Sequence, residues 1–184
     1  MIRGVNYRRL AGGYVFEGMK LEDIAKLRRI LMSQILVLNT ASDITVVKNE
    51  SLLNDFILNS RIGAILLKGP TNIEEDTNWS IFVRNDNEIN QKVIYFRDIK
   101  LPPRISCVNP NTILTVLRVG KSLDVHGRIT VSNNENRPGF TQCCFCKFTE
   151  IGDDIVLSIE SYGQKDIETL FDEAFAIYQS GIEV

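Results

Sequence analysis

The chain has 184 residues with a formal net charge of −2, and 44% of its residues are hydrophobic and 24% charged. That suits one globular domain or two small connected ones, and it shows none of the basic excess that usually marks a nucleic-acid-binding domain. No apolar run approaches the roughly 20 residues needed to span a bilayer, and "MIRGVNYRRL" has no apolar core behind its arginines, so the expectation is an intracellular protein without a secretory leader.

In chain order, "GGYVFEGM" predicts a short strand after a paired-glycine turn. Residues 21–35, "LEDIAKLRRILMSQI", predict an amphipathic helix. Leu21, Ile24, Ala25, Leu27, Leu31, Met32 and Ile35 keep helical spacing, and Glu22 and Asp23 favour its positive end. Arg28 and Arg29 interrupt this apolar band. "DITVV" reads as a strand, and "NESLLNDFILNSRIG" as a second helix with Ser51 as N-cap and Gly63 as stop. Residues 69–79 predict a loop. "WSIFVRND" and "KVIYFRDI" predict a hairpin, and "KLPPRISCVNPN" an extended connector, since its prolines cannot donate to a ladder. Two strands flank Gly120, a loop follows at "VSNNENRPGF", and "TQCCFCKFTE" and "DIVLSIESYG" complete the β set. The last element is a helix in "DIETLFDEAFAIY", with a stripe of Ile167, Leu170, Phe171, Ala174, Phe175 and Tyr178. Helices near both ends with β between them define an α+β fold.

The charge is unevenly spread. Residues 1–37 hold seven Lys/Arg against three Asp/Glu, and residues 151–184 hold one Lys against eight Asp/Glu. Opposite signs suit two ends that pack together, so the expectation is one domain from 1–37 plus 151–184 carrying an inserted domain, 38–150.

Candidate chemistry is sparse. Cys143, Cys144 and Cys146 lie in a strand-like run in which Cys144 and Cys146 should face one side and Cys143 the other. Zinc sites draw paired cysteines from turns, so core packing is the favoured reading. His126 is the only histidine, with no nucleophile beside it in sequence. "RVGKS" lacks the earlier glycine of a phosphate loop and precedes a strand rather than a helix. Paired acids such as Asp153-Asp154 and Asp172-Glu173 read as solvated faces. The two terminal apolar stripes are wide enough to suggest an oligomerisation surface.

Those stripes carry a family resemblance. "YVFEGMKLEDIAKLRRILMSQI", with Ala25, Leu27, Arg28, Arg29, Ile30 and Leu31, resembles the first helix of the alpha-like assembly subunits of multisubunit DNA-directed RNA polymerases. These comprise the bacterial alpha N-terminal domain, the archaeal D subunit and the eukaryotic third-largest subunit. "NESLLNDFILNSRIGAILLKG" is similar to the archaeal and eukaryotic signature at Leu53, Asp55, Phe56, Arg61, Ile62, Gly63, Ile65 and Leu66. "LRVGKSLDVHG" resembles the family's strand and turn, and Ile159, Glu160, Ser161, Tyr162 and Gly163 its final strand.

The resemblance implies a non-catalytic scaffold whose discontinuous dimerisation domain pairs with a smaller alpha-like subunit. The interface would use Leu21, Ile24, Leu27, Leu31, Ile35, Leu170, Phe171, Ala174, Phe175 and Tyr178. Arg28 and Arg29 would reach the second-largest subunit, where a guanidinium makes charge-assisted hydrogen bonds. Small zinc-binding subunits would join the surface, with no direct DNA contact and no membrane. The loop 69–79 lacks the cysteines that many archaeal and eukaryotic members place there, so the expectation is no metal and no cofactor. "NRPGFTQCC" stands where relatives have a His-Ala-Lys-like run, and the insert is short, as in a compact viral or otherwise streamlined polymerase. Two other readings stay open: a stand-alone dimeric interaction module, and a metal protein using Cys143, Cys144 and Cys146.

Overall fold

A computed structural model describes residues 2–8, 11–73, 77–135 and 141–181. The elements are β1 (Ile2–Arg8), β2 (Ala11–Glu17), α1 (Leu21–Ser33), β3 (Val37–Asn49), α2 (Asp55–Gly63), β4 (Leu67–Lys68), β5 (Asn78–Arg84), β6 (Lys92–Tyr95), β7 (Ser106–Cys107), β8 (Ile113–Leu117), β9 (Ser122–Ser132), β10 (Cys143–Ile151), β11 (Asp154–Ser161) and α3 (Ile167–Gln179), with a short 3-10 turn at Phe96–Asp98. The fold is α+β. The chain divides into two compact units, Met1–Val37 with Ser132–Val184, and Leu38–Val131.

The first unit is an antiparallel four-stranded sheet in the order β1-β2-β11-β10. Its central pairing joins the two ends of the sequence, with Tyr14 opposite Leu157 and Phe16 opposite Ile155. These residues point to one side, where Ile24, Leu27, Ile30 and Leu31 of α1 and Leu170, Phe171 and Ala174 of α3 complete a core. Burying each such side chain stabilises the fold by about 1.5–3 kcal/mol. An aromatic file runs along α3: Phe171 stacks on Tyr14 at 3.6 Å between ring centres, Phe175 lies 5.9 Å from Phe171, and Tyr178 lies 6.0 Å from Phe175. The Asp166 side chain caps α3 by accepting from the Thr169 N–H at 2.9 Å.

The boundary expected at 150 falls instead at 131, because β10 pairs along the length of β11. The outermost strand β1 carries no alternation clear enough to have been expected. The cysteine pattern is also corrected. Cys143 lies opposite Ser161 and Phe145 opposite Glu160, so two steps on β10 match one on β11. This β-bulge at Cys144 resets the alternation. Cys143 and Cys146 therefore both face the core, and Cys144 lies outside.

The second unit holds a three-stranded sheet, β3-β9-β5, two small ribbons, β4-β7 and β6-β8, and α2. The hairpin expected from β5 and β6 does not form. Ile81 in β5 pairs with Val125 in β9, while Val93 in β6 pairs with Val116 in β8. Asn85 separates the two strands. It is fully buried, and its side chain donates to the carbonyls of Asn90 at 2.9 Å and Leu117 at 3.1 Å. Gly120 turns the chain between β8 and β9 with φ +71°, a left-handed conformation that suits glycine. Trp79, 1% exposed, lies across Gly127 so closely that a Cβ there would stand 2.7 Å from the indole ring. The N-cap of α2 is Asn54 rather than Ser51: Asn54 Oδ1 accepts from Ile57 N–H at 2.9 Å, while Ser51 bridges to Leu117. The expected loop 69–79 ends earlier, since β5 begins at Asn78.

Candidate functional site

The expected interface residues separate by burial. Ile24, Leu27, Leu31, Leu170 and Ala174 are fully buried within this chain, and Ile35 and Phe171 nearly so. Five of these side chains expose no surface to a partner and the other two only 2% and 6%, so the seven are corrected to core positions. One face of each helix is enough to cover the sheet, which accounts for the width of the stripes. Leu21 remains 43% exposed, and Phe175 and Tyr178 are partly buried at the margin of the core. The Tyr178 hydroxyl titrates above its ordinary range, first through burial and then through its hydrogen bond to Asp23 of α1.

The arginines lie outside this core. Arg29 is exposed, and its carbonyl accepts from Ser33 Oγ at 2.8 Å. Arg28 reaches back onto its own sheet: Nε donates to the Cys146 carbonyl at 2.8 Å. Its helix position thus serves a contact within the chain, a role the sequence pattern did not reveal. Beside it opens a shallow groove of about 500 Å³, lined by Arg28 and Met32 of α1 and by residues 144–148 of β10. Burial pushes the Cys143 and Cys146 thiols up to about 12. Among the described residues no three His, Cys, Asp or Glu side chains gather as a ligand set.

The resemblance motifs make local structure. Asn49 Nδ2 donates to Asp55 at 2.7 Å and to the Leu53 carbonyl at 2.9 Å, fixing the entry to α2. Arg61 Nη1 donates to the Leu114 carbonyl at 3.0 Å and ties α2 to β8. Gly63 lies against Ala41, whose Cβ would stand 3.3 Å from an added one. Phe56 is 79% exposed, with exposed Leu52 and Ile57 near it in sequence. Ser161 Oγ donates to the Lys165 carbonyl at 2.8 Å and accepts from Gly163 N–H at 3.0 Å, closing a turn in which Gly163 has φ +92°. Glu160 is exposed, with its carboxylate 3.9 Å from the Cys144 sulfur.

Among the described residues Glu50 is the carboxylate with a large downward shift. Lys48 first, then Lys121 and the Ser122 hydroxyl and N–H, hold it at about 2. Its partners lie at the ends of β3 and β9, so the cluster fastens these strands. No helix among the described residues is long and apolar enough to cross a membrane.

No protein-family model matches the chain, and no curated protein matches it.

Proposed function

We propose that this protein is a non-catalytic assembly subunit of a DNA-directed RNA polymerase, pairing with a smaller alpha-like subunit to form a platform for the two largest subunits. The observation that carries the reading is the discontinuous unit itself. β2 and α1 from one end of the sequence join β10, β11 and α3 from the other, and the middle of the chain is a separate unit. This is the organisation that the resemblance at residues 14–35, 49–69 and 155–175 implies. Pairing then uses the helix margins, at Leu21, Phe175 and Tyr178, rather than the buried stripes. Arg29, exposed on α1, is available to the second-largest subunit, and small zinc-binding subunits complete the assembly. The chain performs no chemistry alone and makes no direct contact with DNA.

Affinity purification of a tagged copy from its native source, with mass spectrometry of the associated chains, tests this. Two very large polymerase subunits and a small alpha-like chain in equal amounts are the expected result. A dimer reproducibly free of large partners would overturn it in favour of a stand-alone interaction module.

A further inference from the structure

Among the described residues β10 is an edge strand, and its main chain has a definite phase. Tyr162 N–H donates to the Gln142 carbonyl at 2.9 Å, so the even-numbered residues leading into that turn direct their backbone groups toward β10. Alternation in an antiparallel pair then puts Glu160, Ser158 and Val156 in bonded pairs with Phe145, Lys147 and Thr149. The N–H and C=O groups of Cys146, Phe148 and Glu150 point the other way, to the open edge. The Arg28 bond to the Cys146 carbonyl fits this phase independently.

The groove straddles the same edge. Cys146 and Phe148 belong to the core-facing side of β10, whereas Phe145 and Lys147 belong to the opposite side, and all four line it. A hollow shared by both faces runs along the strand's rim. Among the described residues its charged lining groups are Arg28 and Lys147, both cations. Met32, Phe145 and Phe148 supply apolar walls.

We propose that this rim is a docking site for an extended peptide segment of a partner, one with a carboxylate flanked by apolar side chains. The segment adds to the sheet as a fifth strand beyond β10. Its carboxylate draws the Arg28 guanidinium and the Lys147 ammonium, and one of its backbone N–H groups takes over the Cys146 carbonyl. In the unoccupied protein Arg28 satisfies that carbonyl and guards an otherwise open edge. The inference goes beyond the polymerase reading and does not depend on it, because its test needs no polymerase component.

The test is amide NMR of the full chain with acetyl-Thr-Val-Asp-Val-Thr-amide, alongside the same peptide with Asn for Asp and a backbone N-methylated form. The expected result is saturable shifts of the Cys146, Phe148 and Glu150 amides with the acidic peptide and none with the N-methylated one. Arg28→Gln should weaken the acidic peptide about tenfold and reduce its advantage over the Asn peptide. Lys147→Gln, at an exposed position, checks the same preference should Arg28→Gln unfold the chain. Three outcomes overturn the proposal: no shifts at millimolar acidic peptide, equal binding of the Asp and Asn peptides, or self-association of the protein through these amides, which would make a second copy the occupant.

Discussion

Leu27 on α1 and Leu117 on β8 are both fully buried, but they are held in place by different means. Around Leu27 two helices lay apolar stripes on one sheet, and the core is a continuous layer of aliphatic and aromatic side chains. Around Leu117 the paired strands β6 and β8 are only four and five residues long, and buried polar groups arrange the connections. Asn85 is bonded at both ends of its amide, and the Thr40 hydroxyl donates to the Ile62 carbonyl. The first unit is secured by burying area, and the second by satisfying particular atoms. The two should therefore fail differently, and the chain's one tryptophan, Trp79, reports on the second alone.

The largest effect is expected from Leu31→Asp, which buries an unpaired charge in the helix-covered core and should cost about 4–5 kcal/mol. Helical circular dichroism should fall while the thermal transition seen by Trp79 fluorescence persists. A simultaneous loss of both signals would show one cooperative unit rather than two. Asn85→Ala comes next, at about 3 kcal/mol, because the Leu117 carbonyl would lose its donor in a buried site. Here the Trp79 transition should move to lower denaturant with helicity intact. Gly127→Ala should cost about 2 kcal/mol by forcing the Trp79 ring off its glycine. A red-shifted Trp79 emission in the native state is the sign to look for. An unshifted spectrum and unchanged stability would mean that the strands yield there.

Glu50→Gln should have the smallest effect, and one that depends on pH. The folded carboxyl titrates near 2 against an ordinary 4.5, so its stabilising contribution is complete above about 4.5. It fades as pH falls toward 2 and is absent below. The difference in unfolding midpoint between the parent and the variant should follow that course. A difference that stayed constant down to pH 2 would remove the ion cluster as its source.

The same contrast explains how much could be read in advance. The stripes of α1 and α3 and the strands β2, β10 and β11 are legible because each carries its own periodicity. So is the change of unit near residue 37, through the shift in charge. The second unit hid its topology: "WSIFVRND" and "KVIYFRDI" look like neighbours, and only the buried Asn85 amide and the distant partners Val125 and Val116 separate them. A bulge at Cys144 leaves no mark on composition, yet it decides which thiols are inside. The Arg28 contact depends on that bulge, so the candidate groove could not be inferred from the helix. Its two cations were visible, but not their common edge.

The joining of residues 11–17 to 154–161 in one sheet has a consequence for how the molecule is made. A ribosome releases the inserted unit, 38–131, well before β11 and α3, so the sheet cannot close until synthesis is nearly finished. Within that insert, the Ser42 and Thr130 hydroxyls lie 3.1 Å apart, so a folded insert brings its own entry and exit together. The late strands then close a loop of about 40 residues instead of about 136, and the entropic cost of closure falls by about 1 kcal/mol. A mutation that weakens the insert would slow completion of the other unit without touching one of its contacts.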